Sequence, residues 1–276
     1  MPEHEAWFFV GGTAAHLATE MYDRDFFGET PNVDLEEIWE EAFTRTYTEA
    51  FEKDPDEDSW RTGKGYAGRG QPEGYHEWNV KGLQILKDWV TWRKNHRTWK
   101  VVGIEEELRA TLPSGAAFHG FVDRLFDTPQ GLVVVDLKTG SRQPDSLFQL
   151  GTYASVYELL GRQRPRKGLY WMSKAGHLQK EPESLDNFSL RTINEMSRMM
   201  NTAIDNKIFL PIVSSQCYMC TARDACYTVS GDTPNSRKYD PLNPAYQATA
   251  QAKASQADAP PEDPTDAQGP EAGEVA

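Results

Sequence analysis

Apolar residues recur at helical spacing in the N-terminal part of the chain and switch to strand spacing in its centre. Ala14, Leu17, Ala18 and Met21 share one helical face, with Gly11-Gly12-Thr13 ahead of them. Leu35, Ile38, Ala42 and Phe43 predict a second helix over residues 34–53. Trp78, Leu83, Leu86, Trp89 and Val90 predict a third over residues 75–95, and the Gly-rich stretch 62–74 between them reads as a loop. The period then changes. Residues 99–112, 117–126 and 132–138 read as strands joined by the turns Pro113-Ser114-Gly115 and Asp127-Thr128-Pro129-Gln130-Gly131, an antiparallel meander. A helix over 146–160, a strand over 167–173 and a helix over 190–206 follow. The alternation predicts an α/β fold with a central sheet flanked by helices.

After about Pro241 the pattern stops. Residues 241–276 contain Ala259-Pro260-Pro261-Glu262-Asp263-Pro264, six acids, one lysine and almost no large apolar side chains. Such a segment cannot bury enough surface to fold, so an ordered domain over 1–240 and a disordered acidic tail over 241–276 are expected.

Composition narrows the function class. The chain has 276 residues, 38% hydrophobic and 26% charged, with a formal net charge of −13. The charge speaks against a non-specific nucleic-acid coat protein, although a local basic groove can coexist with acidic surfaces. No apolar run reaches spanning length, so no membrane contact is expected. The start Met1-Pro2-Glu3-His4-Glu5 lacks a signal-peptide pattern, which points to the cytoplasm.

Chemistry concentrates at the strand ends. Asp136-Leu137-Lys138 closes the apolar run Leu132-Val133-Val134-Val135, and Asp123 stands thirteen positions earlier on the preceding strand. A hairpin with a short turn brings two such carboxylates together. They are hard oxygen ligands suited to Mg2+ or Mn2+, and burying both is costly without a cation. Lys138, two positions past Asp136, shares its strand face and can orient water or offset developing negative charge. Gln149 and Tyr153 stand one turn apart on the next helix.

Four short patterns occur in order: Gly12 to His16 (Gly-x-x-x-His), Gly120 to Arg124 (Gly-x-x-Asp-Arg), Val134 to Gly140 (Val-Val-Asp-x-Lys-Thr-Gly), and Gln149 to Tyr153 (Gln-x-x-x-Tyr). Together they resemble the RecB-like branch of the PD-(D/E)XK nucleases, which includes CRISPR-associated RecB-like and phage exonucleases. The resemblance spans roughly residues 10–230. It implies a restriction-endonuclease-like core and a divalent-metal-dependent DNA nuclease, an exonuclease, serving recombination, repair or replication. Asp123 and Asp136 would hold the metal, with His16 as a further ligand, and Lys138 would position the water. Gln149 and Tyr153 would contact the DNA backbone or brace the site. A further acid is expected on the strand before. Glu105 is favoured over Glu106 and Glu107 because it follows the apolar start of that strand. A catalytically inactive DNA-binding or scaffold protein of the same fold is the alternative.

The three cysteines lie together, Cys217-x-x-Cys220-x5-Cys226, within a segment over 214–230. Their spacing resembles the C-terminal trio of iron–sulfur members of the same branch, where a fourth, upstream cysteine completes a [4Fe–4S] cluster. This chain has no fourth cysteine. A start further upstream, a histidine as fourth ligand (to a cluster or to Zn2+), and loss of the cluster all remain open.

Partners follow from the same reading: DNA ends or single strands without sequence specificity, and recombination or replication proteins. Arg162, Arg164, Arg166 and Lys167 form a basic run, and Arg69, Arg142 and Lys174 are scattered basic candidates for phosphate contact. Trp60, Tyr66, Tyr75 and Trp171 are candidates for base stacking.

Overall fold

The computed structural model describes residues 4–27, 33–62, 73–140, 143–173 and 181–206, together with 208, 212–214, 217, 220, 226, 228 and 229. Three helices come first: α1 (Trp7–Met21), continued by a π-helical turn at Tyr22–Phe26, then α2 (Leu35–Lys53) and α3 (Tyr75–Asn95). Strands β1 (Lys100–Thr111), β2 (Ala117–Thr128) and β3 (Gly131–Lys138) follow. Then come α4 (Phe148–Leu159), β4 (Lys167–Met172), the short β5 (Glu183–Ser184) and α5 (Leu190–Asp205). The chain divides into two units, Met1–Ile208 and Phe209–Ala276. The acidic tail lies outside the described residues.

The helix starts follow local chemistry. Asp34 caps α2 by accepting from the backbone of Glu36 and Glu37, and Ser189 caps α5 by accepting from Thr192. Glu77 reaches back to the Gly74 amide ahead of α3.

α1 begins seven residues earlier than the sequence pattern predicts, at Trp7. Gly11 and Gly12 are not a break before the helix but part of its packing face. A β-carbon at Gly11 would fall inside the Trp78 ring of α3, and one at Gly12 would sit 3.1 Å from Thr139 Oγ1. The two glycines let α1 lie close against α3 and against the end of β3.

The five strands are ordered β1-β2-β3-β4-β5. β1–β2 and β2–β3 pair antiparallel, as the meander predicts, β3–β4 pair parallel through the α4 crossover, and β4–β5 pair antiparallel. Helices cover both faces, which is why Val133, Val134 and Val135 are all buried despite pointing alternately up and down. On one face Phe126, Val135 and Trp171 pack with Trp39, Trp78 and Trp89 from α2 and α3. On the other, Leu108, Val134 and Tyr170 pack against Leu150, Tyr153 and Tyr157 of α4. This is a mixed α/β sandwich consistent with the PD-(D/E)XK fold.

Candidate active site

The site forms where β1, β2 and β3 pass beneath α1. Arg124 pairs with Val135 across β2–β3, so Asp123 and Asp136 are the next positions along the two strands. Both are buried. Asp123 Oδ2 accepts from the Leu137 amide at 2.6 Å, which fixes its carboxylate against β3. Lys138 Nζ lies 2.7 Å from Asp136 Oδ2 and donates to Gln149 Oε1 at 3.0 Å. Gln149 Nε2 donates in turn to the Tyr153 hydroxyl at 3.0 Å. The four side chains make one continuous chain from β3 to α4. Gln149 and Tyr153 are thereby linked to Lys138 by hydrogen bonds.

β1 and α1 supply the rest. His16 Nδ1 lies 3.5 Å from Asp123 Oδ2 and 3.9 Å from Glu105 Oε1. His16, Glu105 and Asp123 each offer a ligand atom within 4.8 Å of the others, the grouping expected of a cation site. Glu106 instead meets the Tyr157 hydroxyl and Arg162, and Glu107 pairs with Arg109 and His119 on the surface.

A local break in the sheet makes this arrangement. Ile104 pairs with Arg124 and Glu106 with Val122, but Glu105 and Asp123 between them leave the ladder. Glu105 takes φ +46°, a left-handed conformation that costs a non-glycine residue about 1–3 kcal/mol. Side-chain alternation slips at the same point. Val122 and Leu125 face α4, whereas Arg124 and Phe126 face α1 and α3. A regular strand could not present Asp123 to His16 and also turn Arg124 inward on the same side.

The electrostatics fit a divalent cation. Glu105 Oε1 is buried with no hydrogen-bond donor, and Asp136 Oδ2 has only the Lys138 ammonium beside it, off hydrogen-bonding geometry. Burial and the Asp123 carboxylate push Asp136 up to about 7, against the pull of Lys138 and His16. Burial also raises Asp123, with His16 pulling it back down. Burial would lower His16, but Glu105, Asp123 and Asp136 outweigh it and hold the imidazole above its ordinary value. Burial would likewise raise Glu105, yet His16, Arg124 and Arg24 keep it low. Asp123 and Asp136 are buried and Glu105 is half-buried, so three carboxylates converge where a bound cation would ease their mutual repulsion and their desolvation.

Directly behind these acids lies a cluster that sequence reasoning missed. Asp23, turned inward by the π-helical turn, is fully buried. It accepts from Arg124 Nε at 2.7 Å, Arg93 Nε at 2.9 Å and Trp89 Nε1 at 3.1 Å. Arg124 also donates to the Asp123 carbonyl at 2.6 Å and to Thr19 Oγ1 at 3.2 Å. Arg24, next to Asp23, donates to the Ile104 carbonyl at 3.0 Å. Arg124 and Arg24 thus hold the backbone on either side of the break. Arg124 is a buried internal anchor.

The basic run is internally paired. Arg162 meets Glu106, Arg166 meets Asp186, and Arg164 binds Glu158 and the carbonyls of Leu185 and Phe188. Of the stacking candidates, Trp60 and Trp171 are buried core residues, and Tyr75 is partly exposed but rings with Trp7, Phe43 and Tyr47. Tyr66, Arg69, Arg142 and Lys174 lie outside the described residues. Cys217, Cys220 and Cys226 are free thiols, and the Ser214 amide points at Cys217 Sγ at 3.3 Å. Among the described residues they do not gather into a metal-binding group. No helix of the described residues is long and apolar enough to cross a membrane.

No curated protein sequence matches the chain. Residues 3–227 match the profile of the PD-(D/E)XK nuclease superfamily, a span that takes in α1, the whole sheet, the acid–acid–lysine set and the cysteines. With most of its length matched and the site geometry described above, the chain belongs to the PD-(D/E)XK nuclease superfamily.

Proposed function

We propose that the protein is a divalent-metal-dependent deoxyribonuclease of the RecB-like branch, an exonuclease acting on DNA ends in recombination, repair or replication. The observation that carries this reading is the convergence of His16, Glu105 and Asp123 beside Asp136 and Lys138 at the break between β1 and β2. His16, Glu105, Asp123 and Asp136 would hold Mg2+ or Mn2+, which when bound supplies Lewis acidity toward a phosphate oxygen and a nucleophilic water at neutral pH.

The chain's own groups do the rest. The Leu137 amide fixes the Asp123 carboxylate. Gln149, held by Tyr153, aims the Lys138 ammonium at the carboxylate set, where it orients water and offsets charge gathering on the phosphoryl group. The Asp23–Arg124 pair keeps the strained strand segment in place. The spacing of Cys217, Cys220 and Cys226, and not their placement in the structure, supports a structural thiolate centre, iron–sulfur or zinc; purified protein carrying neither metal would retire it.

The mode of cleavage is tested with covalently closed circular and linear DNA of one sequence, in Mn2+. An exonuclease degrades the linear form and spares the circle. Equal loss of both forms would replace the exonuclease reading with an endonuclease one. Tight DNA binding with no cleavage of either would favour the inactive scaffold.

A further inference from the structure

Beyond the metal-site residues, β1 and β2 continue toward their turn, and one face of this hairpin carries Glu107, Arg109, His119 and Phe121. Phe121 pairs across the strands with Glu107, and His119 with Arg109. Phe121 is 46% exposed and belongs to none of the apolar clusters of the described residues, whereas its neighbour Val122 is fully buried. The Phe121 and His119 rings meet edge to face with centroids 5.2 Å apart. Glu107 is held by Arg109 and His119, so its charge is offset, and the Arg109 side chain remains 67% exposed. Phe121 lies two residues from Asp123, a rise of about 7 Å along the strand.

An open aromatic surface with an exposed arginine beside it, two residues along the strand from the proposed metal site, matches the chemistry of a single-stranded nucleic acid. Its unpaired bases offer π-faces and its backbone offers phosphates. Bases within a duplex are already stacked on one another and offer no such face.

Resting on the nuclease reading above, we propose that Phe121, with His119 beside it, is the platform on which bases of a single-stranded DNA end stack as that end enters the metal site. It was not among the aromatics that the sequence pattern singled out, because a Phe in a strand reads as core.

The test measures binding apart from cleavage. A labelled 20-nucleotide oligothymidine and an abasic strand of the same length are titrated by fluorescence anisotropy, with Ca2+ in place of Mg2+ or Mn2+. Wild type is expected to bind the base-containing strand roughly 5- to 100-fold more tightly than the abasic one. Phe121→Ala should lose that preference while binding the abasic strand as wild type does, and Phe121→Trp should keep it. Urea unfolding of Phe121→Ala should match wild type. Retained preference in Phe121→Ala overturns the platform, as does a wild type with no preference. A large loss of stability in Phe121→Ala also overturns it, since the ring would then be packed by the rest of the chain. The nuclease reading fails separately, if wild type shows no metal-dependent cleavage. A cleaving wild type beside an unaffected Phe121→Ala sinks the platform alone.

Discussion

Replacing Asp136 by Asn should stabilise the metal-free protein while abolishing its activity. Asp136 is almost fully buried beside Asp123, and its ionisation is pushed from 3.8 up to about 7, chiefly by burial and then by Asp123. The unfolded chain therefore releases this proton near 3.8 and the folded chain near 7. Between those values the folded state holds the extra proton, so stability from this group falls as pH rises and levels off above about 7. Moving the ionisation that far costs the folded state about 4 kcal/mol once the carboxyl is charged, an upper bound that already includes the attraction of Lys138. Asn stays neutral and keeps the shape. Its advantage over Asp should be about 1–2 kcal/mol at pH 5 and approach about 4 kcal/mol at pH 8. Urea unfolding in EDTA at both pH values measures this, and adding Mn2+ should erase the difference by stabilising wild type alone. A variant no more stable than wild type at pH 8, or an advantage that does not grow with pH, would refute the picture of an overcrowded carboxylate site.

Three further outcomes follow from the geometry. Asp23→Ala leaves Arg93 and Arg124 buried without their carboxylate and should cost about 3–5 kcal/mol by chemical denaturation; a loss below about 1 kcal/mol would mean the cluster is solvated. Gly11→Ala drives a methyl group into the Trp78 ring and should destabilise by about 1–3 kcal/mol, with circular dichroism melting as the readout; an unchanged melt would show that α1 and α3 can separate. His16→Ala removes the imidazole 3.5 Å from Asp123, and the Mn2+ concentration for half-maximal cleavage should rise at least about tenfold; an unchanged metal requirement would remove His16 from the ligand set.

Much of this architecture is legible because local signals agree. The strand pattern and two short turns place Asp123 and Asp136 side by side, and a separation of two places Lys138 on the Asp136 face, as the register shows. Gln149 and Tyr153 share a helical face, which the spacing reveals, but their hydrogen-bonded link to Lys138 becomes visible only when α4 packs on the sheet.

Other features are hidden for physical reasons. Simple alternation puts Glu105 and Glu107 on one face, yet it cannot anticipate the left-handed Glu105 that makes strand alternation slip. Asp23 sits in an acidic, surface-like stretch of sequence, and only the π-helical turn and two arginines from distant elements make it a buried anchor. Gly11 and Gly12 read as a helix break because propensity reports backbone entropy, not the close approach of Trp78. The arginines of the 162–166 run look like a phosphate track until their acidic partners, supplied by tertiary contact, are seen.

The most direct test of the central claim is cleavage of end-labelled single- and double-stranded DNA by wild type and Lys138→Ala, each with Mn2+ or Mg2+ and with EDTA. Wild type should cleave in a metal-dependent way and be silenced by EDTA, and Lys138→Ala should lose activity at least about a hundredfold. Cleavage that survives EDTA, or equal cleavage by both proteins, would contradict the claim.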